Sequence, residues 1–375
     1  MDRQTYLTQL ENLWEQNWPK ELPRTPDYPF GEIPMTDYLR KRAETAPDRP
    51  CVIFYGREMT FGELNTYSDK FAAYLAGKGL QKGDRVAVLM PNCPQFLIAF
   101  YGILKLGCIH VPVNPLFKEP EFLYEMQDAE PKAIVALDLL YGLVAGTRDQ
   151  TSLEVALTTS LTDWLPEQAA FALPDMAQVP RQECPGSEDL MSVLNEETRP
   201  CPDVQVSLND IAALNYTGGT TGMPKGCEHS QGDMLYTAAC GATFAMGRPS
   251  PEDLFLTYLP VFWIAGEDAG VLIPVLSGTP EILLVRWDPG AVLEAIDKYK
   301  VTLTYGLVDN IVELMEHPDI NNYNLTSLRE TTVSSFVKKL NKTYRDQWRE
   351  LTGSVLREGA YGMTETHTLD TFTKG

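Results

Sequence analysis

Residues 211–226 read IAALNYTGGTTGMPKG, an apolar run that opens into three threonines, four glycines, a proline and a lysine. IAALNY has the composition of a strand, so the loop leaves a sheet at its carboxyl end, where open α/β folds bind ligands. Glycines let main-chain N–H groups approach anionic oxygens with no Cβ in the way. Thr217, Thr220 and Thr221 add hydroxyls and Lys225 adds a cation. The spacing is not that of a Walker loop, because Lys225 follows Pro224 and precedes Gly226 where glycine and Ser/Thr are required. Taken alone, the stretch fits an exposed turn as well as a phosphate loop.

The flanking sequence alternates between strand and helix. Phe61, Leu64, Tyr67, Phe71 and Leu75 share one helical face. DRVAVLM (84–90), a helix capped by Asn92 over 93–107, CIHVPV (108–113), a helix over 119–130 and KAIVAL (132–137) follow. This β-α-β-α-β order predicts a parallel sheet with right-handed crossovers. Between Leu165 and Ser207 stand six prolines with acidic and polar spacers, read as an irregular connection. It divides the chain into segments 1–164, 165–207 and 208–375. Beyond it the spacing predicts a helix from about Asp233 and strands over 254–260, 281–285, 302–306 and 330–335. Helices are predicted near 265–276, over 288–300 with Asp288 as cap and Pro289 just inside, over 308–316 and near 338–352.

The bulk composition narrows the function. With 375 residues, 44% of them hydrophobic, the chain can build more than one core. A net charge of −20 argues against sequence-independent nucleic-acid binding. Seven scattered cysteines without a CxxC pair read as reduced thiols, and four separated histidines without H-E-x-x-H give no zinc signature. The N-terminus has no apolar signal core, and FLIAFYGIL (96–104) is half the length of a membrane span. A cytoplasmic protein is expected, without an integral membrane segment. GKGLQKG (77–83) follows a helix and lacks dinucleotide-loop spacing, and no G-x-S-x-G elbow is present.

A second stretch sharpens the first. EGAYGMTET (358–366) sets Tyr361, Gly362, Thr364 and Glu365 together at the end of a strand pattern. An aromatic beside glycine stacks on a purine, a threonine bonds a phosphate oxygen, and a carboxylate holds the Mg²⁺ that travels with a nucleoside triphosphate. Alone it is also a strand-turn with a core tyrosine.

Together the two stretches resemble the adenylate-forming superfamily of acyl-CoA synthetases, luciferases and adenylation domains. The first is similar to its YTSGTTGxPKG signature with Gly218 in the serine position, and the second to its YGMTE signature without change. TFGEL (60–64), GDRVAVLMPN (83–92), KLGCIHVPVNP (105–115) and LPVFWIAG (259–266) resemble further family segments in order. The TGG variant and TTSLTDWLP (158–166) look most like fatty-acyl-CoA ligases. The resemblance implies a large N-terminal α/β domain of two doubly wound, mostly parallel sheets flanked by helices. Thr217, Gly218, Gly219, Thr220, Thr221, Gly222 and Lys225 would cover the β- and γ-phosphates. Tyr361 would stack on adenine, with Ser335, Phe336, Gly359 and Ala360 lining that pocket. Lys225, Thr364 and Glu365 would carry catalysis, Thr364 at the α-phosphate and Glu365 on Mg²⁺ with Thr221. Trp263, Gly266, Gly306 and Met363 would border the acyl site. The implied reaction joins a carboxylate to ATP, giving acyl-AMP and pyrophosphate, and then passes the acyl group to CoA.

The sequence departs from the family in places. Trp263 replaces the usual histidine, which implies a shortened acyl tunnel unless the indole is core. SSFV (334–337) stands where GGAP is usual, and Val308 where proline is typical. The ribose-binding aspartate, the hinge and the small C-terminal domain of the family have no counterpart in these 375 residues, so weak or no adenylation by this chain alone is expected. A carrier protein as acceptor and a non-catalytic nucleotide-binding role are the alternatives. Phe262, Trp263 and Ile264 favour a fatty or aryl acid over an amino acid. The oligomeric state is left open, a homodimer included.

Overall fold

The computed structural model describes residues 2–218 and 222–372. The strands are β1 (Pro50–Phe54), β2 (Arg57–Thr60), β3 (Arg85–Leu89), β4 (Ile109–Pro112), β5 (Ala133–Leu137), β6 (Val155–Thr159) and β7 (Glu188–Asp189). After the proline-rich connection come β8 (Ile211–Tyr216), β9 (Gly226–Ser230), β10 (Phe255–Thr257), β11 (Glu281–Leu283) and β12 (Leu303–Leu307). The last are β13 (Glu330–Ser334), β14 (Val355–Glu358), β15 (Ala360–Tyr361) and β16 (Thr371–Phe372).

They assemble as two seven-stranded sheets and a two-stranded ribbon. One sheet runs β7-β6-β5-β3-β4-β8-β9 and is parallel except for β9. The other runs β14-β13-β12-β10-β11-β1-β2 and is parallel except for β2. Helices flank both, as expected for the doubly wound class. The division expected at 165–207 does not coincide with the boundary between sheets. β1 and β2 precede it yet join the later strands, whereas β8 and β9 follow it yet join the earlier ones.

Local chemistry explains several helix starts. The helix Phe61–Gly77 opens on a reciprocal cap, Thr60 Oγ1 accepting from the Glu63 N–H at 3.1 Å while Glu63 accepts from the Thr60 N–H at 2.8 Å. Asp288 caps the helix Pro289–Tyr299 as predicted. The helix Pro94–Lys105 is buried along its whole length. Asn92 is not its cap. Cys93 holds that position without a side-chain bond, and Asn92 is instead buried between the two sheets. The helix predicted near 265–276 runs from Ile264 to Ser277, widened to i→i+5 bonding over Asp268–Leu272.

Candidate functional site

The topology gathers the candidate residues by strand order. The second sheet winds from β10 to β11 on one side and to β12, β13 and β14 on the other, so its order reverses between β10 and β12. Ligand crevices form outside the carboxyl ends of strands at such a reversal. Leaving those ends are LPVFWIAG after β10, Val308 after β12, SFV (335–337) after β13 and GAYGMTE (359–365) after β14. The register Leu307↔Ser334 and Val333↔Glu358 puts these exits side by side.

The glycine-rich loop is the turn of an antiparallel hairpin rather than a strand-to-helix connection. Tyr216 pairs with Gly226, the Thr217 N–H donates to the Lys225 carbonyl at 3.0 Å, and the Lys225 N–H donates to Thr217 Oγ1 at 3.1 Å. Both roots are tied to the helix Glu119–Ala129: Tyr216 Oη donates to Asp128 at 2.7 Å and Tyr124 Oη to the Pro224 carbonyl at 2.8 Å. Gly218, Gly222 and Lys225 are exposed. Gly219, Thr220 and Thr221 lie outside the described residues. A fixed base with an exposed rim explains the failed Walker spacing, because no helix N-terminus follows the loop. The strand β9 was missed because GCEHS is polar and has no apolar alternation.

The turn containing Thr364 and Glu365 is closed by the β15–β16 ribbon and packs against β9. Burial pushes the His229 imidazole down, and Asp233 and a hydrogen bond with the Thr364 main chain push it back up. Glu365 in turn acts on the Cys227 thiol, which burial already raises. The strand entered through Lys225 therefore lies beneath the Thr364–Glu365 turn, bringing the two signature stretches together from 140 residues apart.

Among the proposed adenine residues, Phe336 and Tyr361 are 75% and 64% exposed, on the exits of adjacent strands. Ser335 is committed elsewhere: its N–H and Oγ bond Glu358 at 2.7 and 2.6 Å. The Gly359 N–H donates to the Val333 carbonyl at 2.7 Å. Nothing is described of the Ala360 side chain. At the proposed acyl border, Trp263 is half exposed and Met363 is 44% exposed. Gly266 and Gly306 serve close packing: a Cβ would sit 2.0 Å from the Pro260 carbonyl oxygen and 1.9 Å from Tyr258 Oη, respectively. A groove of about 610 Å³ is lined in part by Trp14, Trp18, Tyr236, Phe244, Thr366 and Phe372.

Sequence reasoning missed the buried groups behind these segments. Glu267 and Asp268 are fully buried, and desolvation raises Glu267 to about 8 and Asp268 well above the carboxylate range. His110 and His367 are held at about 3 by burial. The signal available was GED (266–268), two acids inside an otherwise apolar helix pattern.

Two doubly wound sheets with signature loops at their carboxyl ends define an α/β protein with the fold of the adenylate-forming class. Residues 39–374 match the AMP-binding enzyme family, and the chain belongs to it. It is 32% identical over 366 residues to a long-chain-fatty-acid–CoA ligase of Bacillus subtilis (strain 168), covering 95% of this chain and 64% of that protein. To 4-coumarate–CoA ligase 1 of Solanum tuberosum it is 27% identical, over 89% of this chain and 57% of the relative. The chain thus spans less than two thirds of the length of these relatives. The fold is shared with the long-chain-fatty-acid-CoA ligase FadD1 of Archaeoglobus fulgidus at a TM-score of 0.77 and 21% identity, covering 94% and 68% of the two chains. The N-terminal domain of FACL13 from Mycobacterium tuberculosis gives a TM-score of 0.75 at 21% identity, covering 89% and 77%. Among the described residues, no helix is long and apolar enough to cross a membrane.

Proposed function

We propose that the chain carries the ATP-dependent carboxylate-activating part of an acyl-CoA ligase. The supporting observation is the packing of the Thr364–Glu365 turn against the strand that Lys225 enters, within a family match over residues 39–374. A carboxylate oxygen attacks the ATP α-phosphorus in line, the bond from that phosphorus to the α,β-bridging oxygen breaks, and acyl-AMP and pyrophosphate result. The CoA thiol then attacks the acyl carbon, losing its proton, and AMP departs. Lys225 and the loop hydroxyls neutralise charge on the leaving pyrophosphate, and Thr364 orients the α-phosphate. Tyr361 and Phe336 offer flat apolar faces to adenine.

Mg²⁺ usually binds through one or two carboxylates plus substrate phosphates. The exposed Glu365 suits that arrangement, and among the described residues no cluster of three ligating side chains suits a dedicated metal cage. Glu365 would hold the ion with Thr221, and the ion would offset triphosphate charge. The apolar residues around Trp263 support a fatty or aryl acid. The relatives' names support CoA as acceptor.

Calorimetric titration with Mg²⁺·ATP and a non-hydrolysable acyl-AMP mimic, followed by carboxylate-dependent ATP–pyrophosphate exchange, tests the reading. Failure to bind either ligand rejects it. Tight binding of the mimic without exchange, even in a chain extended to the length of its relatives, favours a non-catalytic nucleotide binder.

A further inference from the structure

Behind the two signature segments runs a buried polar line that the reaction does not use directly. Asn215, one residue before Tyr216, donates from Nδ2 to Glu267 at 3.2 Å, and His110 Nε2 lies 3.8 Å from the same carboxyl. The adjacent Asp268 lies 3.5 Å from His367 Nδ1. The His367 ring stands edge-on to that of His229, centroids 4.7 Å apart. Asn215 belongs to β8 and His229 to β9, the two arms of the phosphate-loop hairpin. His367 follows Glu365 by two residues, and the helix bearing Glu267 and Asp268 starts directly after Trp263.

Three observations argue that this line does more than fill the core. Buried polar groups are costly compared with well-packed apolar side chains. Here all the side chains of the line are buried, and both Asp268 oxygens and both His367 ring nitrogens lack a well-formed hydrogen bond. His367, Thr368 and Leu369 occupy the left-handed region in succession, with φ of 60°, 60° and 53°. Each such residue costs about 1–3 kcal/mol and persists only where its surroundings over-determine it. Last, the helix widens to i→i+5 bonding from Asp268 onward, a form frequent at functional sites.

We propose that Asp268 and His367, with Glu267 and Asn215, are positioning residues that hold the Thr364–Glu365 turn in register with the Lys225 loop, so that both meet one triphosphate. The triphosphate in this inference rests on the adenylate-forming reading; the mechanical coupling of the two segments does not. Glu267 fixes the helix to β8 through Asn215, Asp268 packs the same helix against His367 at the end of the turn, and His229 closes the line through β9. Movement of the turn is thereby transmitted to the base of the loop.

The test uses the 375-residue chain with Asp268→Leu, His367→Phe, the double variant and the conservative Asp268→Asn. Calorimetry reads affinity for Mg²⁺·ATP and for adenosine, and amide hydrogen exchange reads residues 222–230 and 361–369. Each apolar single variant is expected to weaken Mg²⁺·ATP about tenfold, the double variant no more than either, and Asp268→Asn to restore binding to within about threefold. Adenosine affinity is expected to stay within about twofold, because only the phosphate-side groups lose register. Equal losses for both ligands, or no loss at all, would overturn the proposal. If the unmodified chain binds no ATP, the adenylate-forming reading fails, and exchange alone decides the positioning. Loss of protection in both segments together supports it, and loss confined to 361–369 rejects it. Should Asp268→Leu not fold, His367→Ala, on the loop between β15 and β16, gives the same readings.

Discussion

The side-chain nitrogen of Asn92 lies 2.9 Å from the carbonyl oxygen of Leu259, joining the end of β3 in one sheet to the exit of β10 in the other. The same nitrogen donates to the Leu284 carbonyl at 3.0 Å, and Asn92 Oδ1 accepts from the Val261 N–H at 2.8 Å. One fully buried amide thus satisfies three main-chain groups on two strand exits. Asn92→Leu keeps the volume and strands all three. A loss of about 3 kcal/mol or more is expected in urea denaturation, since each buried group left unpaired costs about 1–3 kcal/mol. A loss below about 1 kcal/mol would show that the sheets are not clasped there.

The exposed site residues behave differently. Lys225 and Tyr361 make little packing contact, so Lys225→Gln and Tyr361→Ala are expected to leave the melting temperature within about 2 °C of the parent. Their effect falls on ligand binding. Lys225→Gln is expected to weaken Mg²⁺·ATP more than AMP, whereas Tyr361→Ala weakens both alike, by about tenfold, because stacking acts on the base. Reversal of this pattern in calorimetric titrations would exchange the roles assigned to the two residues.

The sequence was most legible where local chemistry decides. The strands β3, β4, β5 and β12 are short apolar runs between turns, and Asp288 with Pro289 marks a helix start without tertiary help. Edge strands were hidden, because REMT and GCEHS gain their pairing from neighbours rather than from pattern. The exchange of hairpins between sheets was hidden as well, since nothing local in CVIF indicates pairing with a strand 229 residues later. Of the site, exposed motif residues were readable because Gly, Thr and Lys have no packing reason to cluster. The role of Asn92 and the line from Asn215 to His367 depend on contacts between distant segments, which no spacing rule encodes.

Trp263 provides a test of substrate size. Its indole is half exposed beside Phe262, ring centroids 5.9 Å apart, at the mouth of the β10 exit. If it limits the acyl site, Trp263→Ala admits longer chains. Each further methylene buried is worth about 0.8 kcal/mol, close to fourfold in kcat/KM. In pyrophosphate exchange with a C6–C16 series on a chain extended to the length of its relatives, the preferred acid should lengthen by two or more carbons. An unchanged preference would place the indole outside the acyl path.

Glu281 gives a stability prediction with a defined sign. It is fully buried at the start of β11, accepts from Thr257 Oγ1 at 2.5 Å, and burial raises its carboxyl to about 8. The unfolded value is about 4.3. Between these values the folded chain keeps a proton that the unfolded chain releases, so stability falls as pH rises. The contribution is complete below about pH 4, is lost progressively up to about pH 8, and changes no further above it. The slope per group is at most about 1.4 kcal/mol per pH unit. Glu125 and Glu267, also buried and raised to about 8, add to the fall. Glu281→Gln mimics the neutral acid and cannot ionise. In denaturation experiments it should match the parent at about pH 4 and exceed it at pH 8 by an amount on the order of a few kcal/mol. Parallel stability curves over pH 5–8 would mean that Glu281 ionises within the fold as readily as in the unfolded chain.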